Sequence, residues 1–364
     1  MVSEDRGGRR RVKLADVAAE AGVHTATASR ALSPRDDIVA AVSREKRDRV
    51  LAAAQRLGYR PNRQGRALRT GHSQVLGLLV PRISDTVLST FYEGMLAEAQ
   101  GSGYSVVVAN TADNPEQREG FIRELVEHGV DGIIYTDAHL GEPPPTDHGV
   151  PVLPAYRFSE PPGGVVVDDE AGGALVARHL IEAGHEHIAL LAGFPYASST
   201  TGRSRGFLTE LERLGLDVER VPVEHGGLSA AEGRTIAERL LAAPEPLTAV
   251  FAVDDHLALG VLSAVHRAGL TPGRDIAVVG YNDLPVAREL PVPMSSVAVP
   301  LDILGARAAR SLLGALRGDA PVSELVAPEL RVRESSTRDP ADGSSAGHTA
   351  VPGAEDSVRP ARGT

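Results

Sequence analysis

The chain of 364 residues is long enough for two or three domains with full hydrophobic cores. It contains no cysteine, which excludes disulfides and thiolate chemistry, and no apolar run of about 18 residues, which excludes a membrane-spanning helix. Residues 1–72 hold 16 Lys and Arg against 8 Asp and Glu, while the remainder holds 22 against 40, so the net charge of −10 hides a basic segment suited to a polyanion.

A basic arm, residues 1–11, precedes the first predicted helices. The arm lacks the apolar core of a signal peptide, so we expect it to be disordered and the protein to stay in the cytoplasm. From Leu14 to Ala21 apolar residues recur at helical spacing, and Gly22 supplies the backbone that ends a helix. A second short helix, Thr25 to Leu32, leaves hydroxyl residues and Arg30 on its outer side.

Two interpretations fit these two helices. Hydroxyl groups and an arginine on an exposed helix suit the DNA major groove, where they bond phosphates or base edges. An ordinary helical hairpin with a solvated face fits the same nineteen residues about as well. After a linker of residues 33–42, Ser43 caps a third predicted helix and Gly58 ends it.

The next segment, Tyr59-Arg60-Pro61-Asn62, restarts the chain in an extended conformation because of its proline. Asn62 can cap a short helix that runs through Leu68. We therefore interpret residues 61–73 as a hinge helix and linker.

From Val75 onward, apolar strand runs alternate with predicted helices near 86–102, 116–129, 202–214, 229–242 and 255–269. Continuous Val, Ile and Leu runs are typical of parallel strands that are buried on both faces. The pattern predicts two doubly wound α/β subdomains, with ligands at the carboxyl ends of the strands. Residues 335–364 are rich in Ser, Gly, Pro and Ala without periodicity, and we expect a disordered tail there.

An ordered series of motifs resembles the lactose-repressor (LacI/GalR) family of bacterial transcription regulators. The series begins with LADVAAEAGV, TATASRAL, VSREKRDRVLAAAQRLGYRPN and RALRTGHSQVLGLLVP, and continues through VDGIIY, VVVDDEAGG, GHEHIALLAG, GRSRGF, AVFAVDD and IAVVGYNDLP. It covers about residues 12 to 334. The resemblance implies an α/β protein with an N-terminal all-α helix-turn-helix DNA-binding domain, followed by a periplasmic-binding-protein-like clamshell of two doubly wound α/β subdomains.

The resemblance also implies domain boundaries. The helix-turn-helix domain would span residues 12–60, and the effector-binding and dimerisation domain would span 74–334. In the latter, the N-subdomain would hold about 74–182 and 299–324, and the C-subdomain about 183–298 and 325–334. The chain would cross between the subdomains near 181–185, 297–300 and 322–327.

Residues of the first helices and the hinge are expected to contact DNA by this resemblance. They are Leu14, His24, Thr25, Ala26, Thr27, Ser29, Arg30, Tyr59, Asn62, Arg63, Arg66 and Leu68. Leu68 matches a leucine that wedges between base steps in the minor groove. The chain departs from the family pattern at His24, where Ser is the usual N-cap, and at Gly65, where Ala is usual. The linker is also about four residues longer and carries Asp36 and Asp37.

The effector is expected to touch residues near strand ends, which are Asp85, Tyr156, Asp168, Arg203, Asp254 and Asn282. Arg203 matches a family arginine that reaches the effector, although a salt bridge across the cleft is an alternative role for it. Asn282 stands where sugar-binding members usually have Asp. Arg203 would thereby lose an anionic partner, so we expect either that Asp254 neutralises it or that the effector carries an anionic group. The segment Asp85-Thr86-Val87-Leu88 replaces an aromatic pair, which leaves little flat surface for a sugar or purine ring.

No catalytic constellation, cofactor motif or metal site is predicted. The glycine-rich VDDEAGGA lacks the residues of a phosphate loop, and His185 and His187 have no further ligand nearby in the sequence. We expect a non-enzymatic repressor that binds a palindromic operator as a dimer or tetramer and responds to a sugar or a small anionic metabolite. The alternatives are control by a protein corepressor and, with less support, a small-molecule-binding protein or enzyme without a DNA role.

Overall fold

The computed structural model describes residues 12–32, 41–59, 71–145, 147–158 and 164–337. The chain divides into two units, Met1–Ser73 and Gln74–Thr364. The predictions for residues 1–11, 33–40 and 60–70 lie outside the described residues, and with them those for Asn62, Arg63, Gly65, Arg66 and Leu68. Within the described residues, no helix is long and apolar enough to cross a membrane.

The first unit contains the predicted helix pair and a third helix. These are α1 (Leu14–Ala21), α2 (Thr25–Ala31) and α3 (Arg44–Leu57). Gly22 follows α1 with a φ of 61°, in the left-handed region where glycine carries no steric cost. The three helices pack on each other around a small core that includes Val17, Ala28 and Val50. Ser43 lies at the N-cap position of α3, but its hydroxyl makes no capping hydrogen bond, contrary to the prediction.

The second unit contains two six-stranded sheets in its described residues. The strands are β1 (Val75–Val80), β2 (Ser105–Asn110), β3 (Gly132–Tyr135), β4 (Val152–Tyr156), β5 (Val165–Val167), β6 (Ile188–Gly193), β7 (Val223–His225), β8 (Ala249–Ala252), β9 (Ala277–Asn282), β10 (Ser295–Ala298), β11 (Glu324–Val326) and β12 (Glu329–Arg331). The first sheet has the order β11-β5-β4-β3-β1-β2, and the second has the order β12-β10-β9-β8-β6-β7. All pairs are parallel except β10 with β12, which confirms the predicted doubly wound class.

Helices cover both faces of each sheet. They are α4 (Thr86–Gly101), α5 (Pro115–Glu127), α6 (Asp169–Glu182), α7 (Ser198–Arg213), α8 (Ala230–Leu241), α9 (Asp255–Arg267), α10 (Pro285–Glu289) and α11 (Leu301–Ala315), with 3-10 turns at Val218–Arg220 and Glu334–Ser336. Because side chains alternate along a strand, Leu78 of β1 packs in one core with Phe91 of α4, while Leu79 packs in another with Ile122 of α5. Helix α4 pairs with α11, α6 with α7, and α8 with α9.

The chain crosses between the subdomains at places that correct the predicted boundaries. Helix α6 packs on α7 and contacts β10 and β12, so it belongs to the second sheet and the first crossing lies at 167–169 rather than 181–185. The second crossing lies at 298–301, between β10 and α11. The third follows Val326, because β11 pairs with β5 in the first sheet. The C-subdomain therefore begins with α6 and resumes after β11.

The folded body extends past the predicted start of the tail. Ser335 and Ser336 are fully buried in the last 3-10 turn. The Ser335 hydroxyl donates to the Val278 carbonyl at 2.6 Å and accepts from the Ser295 amide at 2.8 Å. The composition of residues 335–337 resembles that of a disordered segment, but the Ser335 hydroxyl satisfies two backbone groups of the sheet and the Ser336 hydroxyl bonds the Ser295 hydroxyl. The boundary at 334 is therefore too early.

Candidate functional site

Helix α2, whose outer side is predicted to contact DNA, presents a set of exposed side chains in the first unit. Thr25, Ala26 and Arg30 are exposed, while Thr27 and Ser29 are half-buried. His24 occupies the N-cap, and its Nδ1 accepts a hydrogen bond from the Ala26 amide at 3.3 Å. The imidazole thus replaces the usual serine as a cap while most of it stays exposed. Of the other predicted DNA contacts, Leu14 and Tyr59 lie partly buried against the three-helix core.

Arg203 lies at the centre of the candidate effector site. It belongs to helix α7, which begins at Ser198. The prediction that Arg203 lies at a strand end is therefore wrong. Its side chain is 1% exposed, and its guanidinium donates from Nε to Asp169 Oδ1 at 2.8 Å and from Nη1 to the Val253 carbonyl at 2.8 Å. Nη2 lies 3.3 Å from the Tyr156 hydroxyl and 3.5 Å from Asn282 Oδ1.

The charge of Arg203 is compensated inside the protein. Burial, the largest single effect, lowers the pKa of the guanidinium, but the Asp169 carboxylate together with Tyr156 and Tyr281 raises it well above its ordinary value. The Tyr281 ring lies under the guanidinium, with its centroid 3.9 Å from Cζ. Of the two neutralising groups expected from the sequence, Asp254 and an anionic effector, Asp254 does not bond Arg203; the carboxylate that does is Asp169.

Asp254 binds a different set of groups. Its Oδ2 accepts from Asn282 Nδ2 at 2.9 Å, and its Oδ1 accepts from the His256 amide at 2.8 Å. His256 Nδ1 lies 3.1 Å from the same Oδ1, and this hydrogen bond raises the pKa of the imidazole. Asn282 thus joins Asp254 to Arg203 through its two amide atoms.

Asp85 faces this group from the other subdomain. It ends the turn after β1 and caps α4 by accepting from the Val87 amide at 2.9 Å. Burial, followed by the charge of Asp254, raises the pKa of Asp85 above its ordinary value. Val87 and Leu88, which stand where the family has aromatic residues, are buried in the hydrophobic core.

Two residues of the site have an unusual backbone. Tyr156 at the end of β4 has a φ of 65°, and Asn282 at the end of β9 has a φ of 103°. Non-glycine residues with positive φ carry strain that the surrounding structure must hold, and such residues concentrate at functional sites. The carboxyl ends of strands are also the expected ligand edge of a doubly wound sheet.

The structure brings together most, but not all, of the predicted effector residues. Tyr156, Arg203, Asn282 and Asp254 form one hydrogen-bonded network, and Asp85 interacts with it through charge. Asp168 instead caps α6 by accepting from the Ala171 amide at 3.0 Å. Sequence reasoning missed Asp169, Tyr281 and His256. The motif VVVDDEAGG contained the signal for Asp169, since two acidic residues follow the strand.

Comparisons with known proteins agree with both units. Residues 13–62 match the family model described as bacterial regulatory proteins, lacI family, and residues 177–336 match a periplasmic binding protein-like domain. The chain is 30% identical over 335 residues to the HTH-type transcriptional repressor CytR of Escherichia coli (strain K12), covering 89% of this chain and 96% of that protein.

Two solved structures are similar over most of the chain. The lac repressor dimer bound to operator and the anti-inducer ONPF has a TM-score of 0.79 at 26% identity, covering 90% of this chain and 100% of that chain. The complex of the transcriptional regulator CelR with cellobiose has a TM-score of 0.67 at 29% identity, covering 89% of this chain and 100% of that chain. The chain therefore belongs to the lacI family of bacterial regulatory proteins and is a DNA-binding transcriptional regulator.

Proposed function

We propose that this regulator is a repressor that binds a near-palindromic operator as a homodimer, and that a small, neutral, hydroxyl-rich ligand in the cleft changes its operator affinity. The observation that carries the ligand class is the buried Arg203, whose charge is already matched by Asp169. Because operator DNA lies in the cytoplasm, the protein would act there.

The charges that remain in the cleft favour a neutral ligand over an anionic one. Asp85 lies close enough to Asp254 for the charge of Asp254 to raise its pKa, and Asn282, which bonds Arg203 and Asp254, is neutral. Carboxylates accept hydrogen bonds from hydroxyl groups but repel a carboxylate or a phosphate. An anionic effector was one of the two ways expected from the sequence to neutralise Arg203, and Asp169 already does so. Cellobiose, the ligand of the CelR complex, is a neutral sugar held by a chain of the same fold.

The DNA part of the proposal is supported by the first unit and by a relative. The exposed side chains of α2 have the residue types that bond phosphates and base edges. The lac repressor structure is a dimer on its operator, and dimers with two-fold symmetry match sites with palindromic halves. The cleft is assigned to binding rather than catalysis because the similar proteins are transcriptional regulators.

A paired ligand screen tests the proposal. The full-length protein is heated with neutral mono- and disaccharides, including cellobiose, and in parallel with the corresponding sugar phosphates. A ligand that binds the folded state raises the melting temperature in proportion to ln(1 + [L]/Kd). We expect stabilisation by a neutral sugar and a change in operator affinity when that sugar is added in a fluorescence-anisotropy titration. Stabilisation by the phosphates alone would contradict the ligand class.

A further inference from the structure

A second set of contacts joins the two subdomains at a rim of the cleft, away from the Arg203 network. Tyr196, in the loop after β6, reaches across to two loops of the first subdomain, those after β2 and β3. Its hydroxyl donates to Asp113 Oδ2 at 3.0 Å, its ring lies against His139 with centroids 4.3 Å apart, and its carbonyl accepts from the Leu140 amide at 2.8 Å. We call Asp113, His139, Arg157 and Tyr196 the rim clasp.

Asp113 is held in place for this contact. Arg157 Nη1 donates to both of its carboxylate oxygens, at 2.9 and 3.1 Å, and His139 Nε2 lies 3.3 Å from Oδ1. The φ of Asp113 is 58°, so its backbone occupies the left-handed region, which aspartate tolerates better than most residues. The acceptor for the Tyr196 hydroxyl is therefore also held by residues of its own subdomain.

Tyr196 is the hydrogen-bond donor of the clasp. Burial and the charge of Asp113 raise the pKa of Tyr196 to about 12, so the phenol carries its proton throughout the working range of pH. A phenol that donates to a carboxylate makes a charge-assisted hydrogen bond, which is stronger than a neutral one.

The clasp and the ligand site share one strand end. The Tyr156 hydroxyl accepts a hydrogen bond from Arg203 Nη2, and the next residue, Arg157, donates to Asp113. Arg157 also lowers the pKa of Asp85, although burial of Asp85 is the larger effect and raises it. A movement of the end of β4 would therefore change both sets of contacts together.

We propose that the rim clasp, with Tyr196 as its central residue, holds the two subdomains together without a ligand and so sets the balance on which the ligand acts. The bonds of the clasp run from protein to protein across the cleft rim and need no bound molecule. A ligand changes a two-state balance only by its differential affinity for the states, so the starting population fixes how large a response it can produce. The consequence for operator binding rests on the function proposed above, whereas the clasp itself does not.

The first test measures the distance between the subdomains in the full-length, ligand-free protein. The chain has no native cysteine, so Glu127→Cys on α5 and Glu212→Cys on α7, both exposed, can carry a pair of fluorophores. Tyr196→Phe removes only the hydroxyl, and we expect the ratio of the closed to the open population to fall about ten-fold in single-molecule energy transfer. Tyr196→Ala should lower it further. Tyr104→Phe is the matched control, because Tyr104 also bonds an aspartate, Asp131, but within one subdomain.

A second test locks the rim. His139 and Ala197 form an antiparallel bridge, and the bond from the Leu140 amide to the Tyr196 carbonyl makes them the closer, non-hydrogen-bonded kind of pair. Their Cα atoms should be about 4.5 Å apart, which suits a disulfide. The double variant His139→Cys, Ala197→Cys should oxidise readily, and adding Tyr196→Phe should slow its oxidation about ten-fold. Reduction should reverse the effect of the lock on operator affinity.

The outcomes separate the clasp from the proposed function. Unchanged energy transfer in both Tyr196 variants, together with an unchanged oxidation rate, would overturn the clasp. A shifted distance distribution with an unchanged operator affinity would uphold the clasp and count against ligand control of DNA binding instead. If the lock and a cleft ligand shift operator affinity in the same direction and Tyr196→Ala shifts it in the opposite one, both proposals are upheld.

Discussion

Helix α2 and the cleft differ in the exposure and in the bonding of their polar side chains. On α2 the outward residues Thr25 and Arg30 are exposed, and the helix is capped locally by His24. In the cleft Arg203 is buried, and its partners come from distant segments such as Asp169 and Asn282. A polar group on α2 is available to DNA, whereas a polar group in the cleft is already bonded to protein.

Because of this difference, substitutions on α2 and in the cleft should have different effects on binding and on stability. A substitution on the outer side of α2 removes a contact with a partner and leaves the fold almost untouched. A substitution in the cleft leaves other buried polar groups without partners, so it changes the free energy of unfolding as well as ligand affinity. The predictions that follow test this separation, beginning with the cleft.

Arg203→Ala should produce the largest effect. It leaves the buried Asp169 carboxylate without its cation, and the removal of one partner of a buried ion pair costs about 3–5 kcal/mol. The free energy of unfolding from urea denaturation, followed by circular dichroism of the full chain, measures the loss. The matched control is Arg205→Ala, on the same helix two residues away, where the exposed arginine pairs with Glu170.

The control should lose less than about 1 kcal/mol, as exposed ion pairs do. Equal losses of unfolding free energy in the two variants would show that burial does not increase the contribution of the Arg203 pair to stability. The double variant Arg203→Met, Asp169→Leu should be less destabilised than Arg203→Ala, because no uncompensated charge remains in it.

The buried carboxyl of Asp255 predicts that the free energy of unfolding depends on pH. It is fully buried at the start of α9, where Ser296 Oγ donates to Oδ1 and the Leu284 amide donates to Oδ2, both at 2.7 Å. Burial raises the pKa of Asp255 to about 7 from an ordinary 3.8. A carboxyl with a higher pKa in the folded state stabilises the fold below about pH 4, and this contribution is lost as the pH rises to about 7.

The full loss amounts to about 4 kcal/mol at 1.36 kcal/mol for each pKa unit. Asp255→Asn cannot titrate, yet its amide can still accept from Leu284 and donate to Ser296. We therefore expect the decline in unfolding free energy between pH 4 and pH 7 to be shallower in Asp255→Asn than in the natural protein. Asp302→Asn, on the exposed side of α11, should keep the natural slope. If the two variants gave the same slope, Asp255 would not be the titrating group.

The fold was predictable where it depends on local pattern. The periodicity of residues 14–21 with Gly22 predicted the first helix and its end, and the apolar runs predicted parallel strands in two sheets. The approach of Asp254 to Asn282 was also foreseeable, because the carboxyl ends of neighbouring parallel strands meet at one edge.

The partner of Arg203 was not predictable, because it depends on packing between helices. Asp168 and Asp169 are equivalent in a sequence pattern, yet the first caps α6 and the second reaches Arg203. That choice follows from the early crossing of the chain and the close approach of α6 to α7. A Cβ atom on Gly173 would lie only 2.0 Å from the Arg203 carbonyl oxygen, so this glycine permits the contact that brings Asp169 to Arg203.

Arg30→Ala tests the other side of the comparison. If Arg30 reads a base, specific operator affinity should fall by about 1–3 kcal/mol, while the unfolding free energy and ligand affinity stay the same. Titration on the operator and on random DNA at one salt concentration measures the difference. Arg56→Ala removes the same charge from α3, where Arg56 pairs with Glu20 at 3.2 Å, and controls for the general loss of positive charge. Equal losses on both DNAs would make Arg30 a phosphate contact.

The smallest expected effect concerns the His24 cap, where stability and binding can be separated within one residue. His24→Ala removes the acceptor for the Ala26 amide, and loss of an N-cap costs about 1 kcal/mol. Hydrogen exchange at the first turn of α2, followed by mass spectrometry in the full chain, should therefore become about five-fold faster. Asparagine caps well, so His24→Asn should restore slow exchange. If the imidazole also bonds DNA, operator affinity should remain reduced in His24→Asn. Full recovery of both properties in His24→Asn would confine His24 to capping, and fast exchange in His24→Asn would contradict the local role of the cap.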